Sequence, residues 1–233
     1  QKDDADDRGK NPLDVKILQM GWADYFKLVK TEVDHQPEGH SLEGRLKVIR
    51  ATRKLFAQND RFSQIDLIGR QKIAGLVMAD GIDFLWFGSM RGNGYFKKAV
   101  KNNDEHLSLA LDLIPAIGVV TREAYLAYIK LYQQAFPNGD VLIGTATRLL
   151  AIKRPDTFVC LDSRNKAGLC GAFGIKRSVG YEDYWDSIIQ RITTEAAWWS
   201  APPPSPGVER EVWEARAAFL DSHYYDGKDM PSS

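Results

Sequence analysis

The residue types best suited to chemistry fall in one stretch, Gly144-Thr-Ala-Thr-Arg-Leu-Leu-Ala-Ile-Lys-Arg-Pro-Asp-Thr-Phe-Val-Cys-Leu-Asp162-Ser-Arg-Asn165. Thr145 to Ile152 reads as a short helix with Leu149, Leu150 and Ile152 turned inward. Lys153-Arg154-Pro155-Asp156 then reverses the chain. The apolar run Phe158 to Leu161 crosses the core and delivers Asp162 to the first turn of the next helix. A carboxylate there meets unpaired N–H groups and the positive end of a helix dipole. Those groups favour the ionised form, so the expectation is a fixed anion even in a partly closed cleft. Such an anion, held away from water, stabilises a positive charge that develops as a bond breaks. Arg164, Asn165 and Lys166 follow within one helical turn. Gly21 to Phe26 offers Trp22 as a pocket wall and Asp24 as a second acid. The histidines, His35, His40, His106 and His223, lack metal-ligand spacing. Cys160 sits in the apolar run and reads as a core thiol rather than a nucleophile. Neither a metal nor a cofactor is expected.

Those residues need a scaffold, and the periodicities predict a helical one. Residues 1–12, acidic and then Gly/Pro-bearing, read as a disordered leader. Helices are predicted over Leu42–Phe56, Ile65–Met78 and His106–Ile114, the last stopped by Pro115. Thr121 is a good N-cap for a helix carrying Tyr125, Tyr128, Ile129, Tyr132 and Phe136 on one face. Pro137-Asn138-Gly139-Asp140 ends it. Ser163–Phe173, Tyr184–Ile192 and Val208–Tyr224 complete the set, with Gly174 as a stop and Pro202 to Gly207 as a stiff connector. Thr157–Leu161 is the best strand candidate. The fold class is mostly α, a helical bundle with irregular connections. Its parts are a leader (1–12), an N-terminal helical wall of the cleft (13–120), a catalytic part (121–200) and a connector with a C-terminal helix packing back (201–233).

With 233 residues the chain can bury a sizeable core without disulfides or metals. No apolar run approaches the ~20 residues of a membrane span. Two cysteines exclude a four-cysteine zinc or iron–sulfur site, and with no export signal they point to a reducing cytoplasm. Thirty-one bases and 31 acids cancel, which argues against a histone-like binder. The charge is nonetheless segregated. Gly88 to Asn103 carries Arg91, Lys97, Lys98 and Lys101 and no acid. Gly144 to Arg177 carries seven bases and two acids, and Tyr181 to Asp229 ten acids and four bases. A basic face towards a phosphate backbone is therefore still available.

The stretch from Thr121 to Ile175 resembles the helix–hairpin–helix superfamily of DNA glycosylases. Thr145-Ala146 matches the pair that opens the second hairpin helix. Asp162, 17 residues beyond Thr145, matches the catalytic aspartate. Leu161-Asp162 and Phe173-Gly174 match the apolar-Asp and apolar-Gly pairs. Where the family's hairpin reads Leu-Pro-Gly-Val-Gly, this chain has Asn138-Gly139-Asp140-Val141-Leu142-Ile143-Gly144. The lysine of bifunctional members falls at Gly144, so the resemblance implies a monofunctional enzyme. That enzyme would be a monomer that flips a modified base out of double-stranded DNA and hydrolyses its N-glycosidic bond, with Asp162 stabilising the sugar cation. Gly144 and Thr145 would belong to its DNA-gripping hairpin, and Arg164, Asn165 and Lys166 would touch phosphate or the flipped sugar. Trp86 to Lys98, with Arg91, Asn93 and Tyr95, has the composition of a loop that approaches DNA while an aromatic or Met fills the vacated stack. Excision of hypermodified phage cytosine such as glucosylated hydroxymethylcytosine is one candidate activity. Repair of an oxidised or alkylated base is another, and a non-catalytic DNA-binding protein on this scaffold is the competing reading.

Overall fold

Amphipathic helices account for most of the chain in a computed structural model, in which the described residues are 17–34, 42–137 and 143–225. The expected leader (1–12) and hairpin residues 138–142 lie outside them. The order is α1 (Trp22–Asp34), α2 (Leu42–Ala57), a 3-10 turn (Phe62–Gln64), α3 (Leu67–Ile73), β1 (Met78–Ala79), β2 (Ile82–Asp83), α4 (Gly94–Lys101), α5 (Glu105–Asp112) and α6 (Arg122–Gln134). α7 (Ile143–Lys153) and α8 (Lys166–Ala172) follow. α9 (Tyr181–Asp183) continues through a π-helical stretch (Tyr184–Ile189) into α10 (Gln190–Glu195), and α11 (Val208–Glu214) and α12 (Leu220–Tyr224) close the described chain.

Local chemistry starts many of these helices. Asp66 accepts the Gly69 N–H at 2.7 Å, Asn93 that of Phe96 at 2.8 Å, and Thr121 that of Ala124 at 3.1 Å. α3 is shorter than the predicted Ile65–Met78. Gly75 adopts φ +68°, and a Cβ there would lie 2.6 Å from the Gly88 carbonyl. The chain then enters a hairpin, Met78–Ala79 against Ile82–Asp83, turned by Asp80 and Gly81 at φ +54° and +70°.

α7 is the centre of the fold. Thr145 through Ile152 are all buried, and α2 and α5 pack against it. α6 presents Tyr125, Tyr128 and Tyr132 inward, and the Tyr128 hydroxyl donates to the Ala146 carbonyl at 2.8 Å. α1 and α8 both pack against α12.

Two expectations are corrected. Thr157–Leu161 is buried but joins no ladder; Thr157 still belongs to the turn after α7, and residues 158–161 have no regular structure. Its backbone is satisfied by side chains instead: Leu161 N–H donates to Thr147 Oγ1 at 2.9 Å, Tyr184 OH to the Val159 carbonyl at 2.7 Å and Asn165 Nδ2 to the Cys160 carbonyl at 2.7 Å. Val208–Tyr224 is two helices rather than one. Ala218 N–H leaves the helical pattern to donate to the Pro155 carbonyl at 2.9 Å, and the intervening residues 215–219 are buried. Among the described residues no helix is long and apolar enough to cross a membrane.

Candidate functional site

The α7 helix, the buried run and the turn before α8 carry Asp162 to the wall of a cavity of about 630 Å³. Asp162 Oδ1 accepts the Arg164 N–H at 2.8 Å and the Asn165 N–H at 3.0 Å. The Asp162 N–H donates in return to Asn165 Oδ1 at 3.0 Å. This reciprocal box fixes the carboxyl as a cap fixes a helix start. Oδ2 takes no hydrogen bond from a described residue. It faces Gly88, where a Cβ would lie 3.3 Å away and also 2.5 Å from Cys160 Sγ. Only a glycine, here at φ +109°, lets the backbone pass so close to the acid.

The proton affinity differs from the sequence expectation. Burial raises the Asp162 carboxyl, the nearby Asp221 charge raises it further, and the two N–H bonds and the Arg164 guanidinium only partly oppose them, leaving it at about 6. The N–H donors were predicted to dominate; desolvation to 8% exposure outweighs them.

Asp221, on α12, is the residue that sequence reasoning missed. Its Oδ1 accepts from Asn165 Nδ2 at 2.6 Å and its Oδ2 from Arg45 Nη1 at 3.2 Å. Arg45, Asn165 and Asp221 are all buried. The only signal in the sequence is an acid at the end of the apolar stretch Ala217-Ala218-Phe219-Leu220. Arg45 (α2), Asn165 and Asp221 thus form a chain that ends at Asp162.

Met90, Ile143, Leu161, Val179 and Tyr181 give the cavity apolar wall, and Ser89, Asn93, Ser163 and Lys166 give it polar groups. Of the predicted site residues, the structure brings Asp162, Gly144, Thr145, Asn93 and Lys166 to this cavity. The Asn93 side chain caps α4, and the Thr145 hydroxyl shares a hydrogen bond with Tyr132 OH. Asn165 lies behind Asp162. Arg164 contributes its backbone N–H, while its half-buried side chain is not among the lining groups. Arg91 is exposed next to the lining residues Met90 and Gly92. Tyr95, 64% exposed, borders a different depression, with Lys98 and Phe136. Trp22 and Asp24 are elsewhere: Trp22 Nε1 donates to Glu209 at 2.7 Å beside Phe26, and Asp24 is exposed on α1. The second acid near the cavity is Asp221, not Asp24.

Part of the presumed basic face points inward. The fully buried Arg148 guanidinium donates to the carbonyls of Ile73, Lys72, Phe84, Trp86 and Gly88. It thereby fixes the segment that carries Gly88 past Asp162. Arg154 is held by Asp156 and by the Pro115 and Gly118 carbonyls, and Lys153 by the Leu111 carbonyl. Lys97, Lys98, Lys101, Lys176 and Arg177 remain exposed.

A second depression of about 600 Å³ is lined by Ile49, Phe56, Ile117, Trp213, Arg53 and Arg216, among others. Arg53 pairs with Glu214 at 2.7 Å, and Arg216 donates to the Trp199 and Trp213 carbonyls. Its carboxyls, Asp156 and Glu214, are already engaged with arginines. Among the described residues no cluster of His, Cys, Asp and Glu could hold a metal. Comparison with protein families, curated proteins and solved structures gives no match.

Proposed function

We propose that this protein is a monofunctional DNA glycosylase of the helix–hairpin–helix kind, acting as a monomer on double-stranded DNA. The observation that carries the reading is Asp162 itself. One oxygen is locked by two backbone N–H groups, and the other has no donor among the described residues, at the wall of a cavity large enough for a flipped nucleoside. The order α6, α7, buried run and acid in the turn that leads into α8 supports it. So do the exposed bases Arg91, Lys97, Lys98, Lys176 and Arg177 for phosphate contact.

In this reading the modified base enters the cavity against Met90, Val179 and Tyr181. As the C1′–N bond breaks, the base leaves with the electron pair and the sugar becomes an oxocarbenium ion. The ionised Asp162 stabilises that cation. A water then adds to C1′ and gives its proton to Asp162, a carboxyl whose raised proton affinity suits a base. Asp162 passes that proton through solvent to the departed base anion, so neutral base and abasic site are the products and the carboxylate is regenerated. Gly144 offers no amine, so water is the nucleophile. A hypermodified phage cytosine is the candidate base in this reading, and an oxidised or alkylated base is the alternative.

The test incubates wild type and Asp162→Asn with phage genomes of different cytosine modification and identifies released bases by mass spectrometry. Release by wild type alone, with DNA binding kept within a few fold, supports the reading. Release of an oxidised or alkylated base redirects it to repair. No release from any modified DNA, with binding intact, replaces it with a non-catalytic DNA-binding protein. An adduct trapped by borohydride would contradict monofunctional chemistry and point to Lys166, the lysine that lines the cavity.

A further inference from the structure

Asn165 makes every hydrogen bond its side chain and turn require. Its Nδ2 donates to Asp221 at 2.6 Å and to the Cys160 carbonyl at 2.7 Å, and its Oδ1 accepts from the Asp162 N–H at 3.0 Å. An ionised carboxyl is acceptor-only. Asp221 therefore dictates that the amide present its NH₂ inward and its oxygen to Asp162. Rotated by half a turn, the amide would set its oxygen against two acceptors and abandon the Asp162 N–H.

Arg45 makes the arrangement costly to keep. Its guanidinium is fully buried and, among the described residues, donates to Asp221 alone, with no hydrogen-bond partner there for Nε and Nη2. It lies 4.3 Å from the Trp86 ring centroid and 5.3 Å from that of Phe87. A buried ion pair with unsatisfied donors is a poor route to stability; well-packed apolar residues of similar volume do at least as well.

Resting on the glycosylase reading, we propose that Asp221 is a positioning residue for Asp162, acting through the Asn165 amide, with Arg45 as its counter-ion. Asp221 holds the Asp162 turn in register and, by its negative charge, keeps the proton of Asp162 more tightly bound. The charged and titratable groups around Asp162 are Asp221 on α12, Arg45 on α2, Arg148 on α7, and Cys160 and Arg164 on its own segment, with Lys166 of α8 and Tyr181 of α9 on the cavity wall.

The experiment is a carbon-detected NMR titration of the Asp162 carboxyl in free protein, paired with the pH profile of base release. Asp221→Asn still accepts from Asn165 but carries no charge. It is expected to lower the Asp162 midpoint by roughly one pH unit or more, to move the acid limb of kcat by the same amount and to leave KM unchanged. An ion pair whose charge does not reach Asp162 would move neither midpoint nor limb. In the wild type the Asn165 side-chain amide signals should titrate with the Asp162 midpoint, a measurement that tests the amide link of the proposal even if Asp221→Asn does not fold. An unmoved Asp162 midpoint in folded Asp221→Asn, or Asn165 signals flat through the wild-type titration, overturns the proposal. A moved midpoint in a protein that releases no base retires the glycosylase reading and leaves the positioning role standing.

Discussion

Two depressions of nearly equal volume, about 630 and 600 Å³, differ in what their polar groups still have to give. In the groove lined by Phe56, Ile117 and Trp213, the arginines and carboxyls are already matched to each other or to carbonyls. Beside Asp162 the pairing stops one oxygen short. Volume alone does not make a reactive site. A group that folding has desolvated and oriented without fully satisfying it is what chemistry can use.

The contrast breaks most directly at Asp162. Asp162→Asn should lower base release by about 10²–10³-fold or more, measured on a modified DNA from which the wild type frees the base. Paired changes in the other depression, Arg53→Ala and Ile117→Ser, should leave release within about twofold; a comparable loss there would erase the distinction.

Arg148→Met tests what holds the site's far wall. It removes the donor shared by five carbonyls, so we expect a loss of roughly 3–5 kcal/mol in chemical denaturation. Thermal unfolding should show the same ranking, with Arg148→Met well below any variant of the groove.

The next effect is smaller and has a definite sign. The folded protein keeps the Asp162 proton up to about pH 6, whereas the unfolded chain releases it near the ordinary carboxylate value of 3.8. Between those values the folded state binds more protons, so this residue makes stability fall as pH rises, by roughly 3 kcal/mol in all. Asp162→Asn, which keeps an acceptor for the two N–H groups, should therefore be more stable than wild type at pH 7.5. The gap should close towards pH 4. Urea unfolding at both pH values checks this, and a gap that widens on acidification would show the carboxyl to be stabilised as an anion instead.

Much of the scaffold was legible because it rests on local rules. The Thr121 cap, the tyrosine face of α6 and the inward leucines of α7 are short-range patterns, and Asp162 follows from the run that precedes it. Asn93 was read as part of a glycine-rich loop, although an Asn followed by Gly94 and an amphipathic turn is an N-cap for α4. Asp80-Gly81 is a strong hairpin signal that the helical period of Ile65–Met78 concealed. Arg148 and Arg154 looked like surface charge because their partners are backbone carbonyls, which leave no trace in side-chain patterns. Asp221 was illegible for a different reason: its partners, Arg45 and Asn165, are 176 and 56 residues away. Charge counting had assigned it to an acidic tail. The same distance misled the reading of Asp162's protonation, since burial by remote segments decides it.

The placement of Asp221 on the last described helix has a consequence during synthesis. As the polypeptide emerges from a ribosome, α2, α7 and the Asp162 turn are exposed to the surroundings long before α12 leaves the exit tunnel. Until then Asn165 has no carboxylate to orient it and the acid is wetter and differently charged. The turn that holds Asp162 thus reaches the arrangement described above only once α12 has been made and has docked.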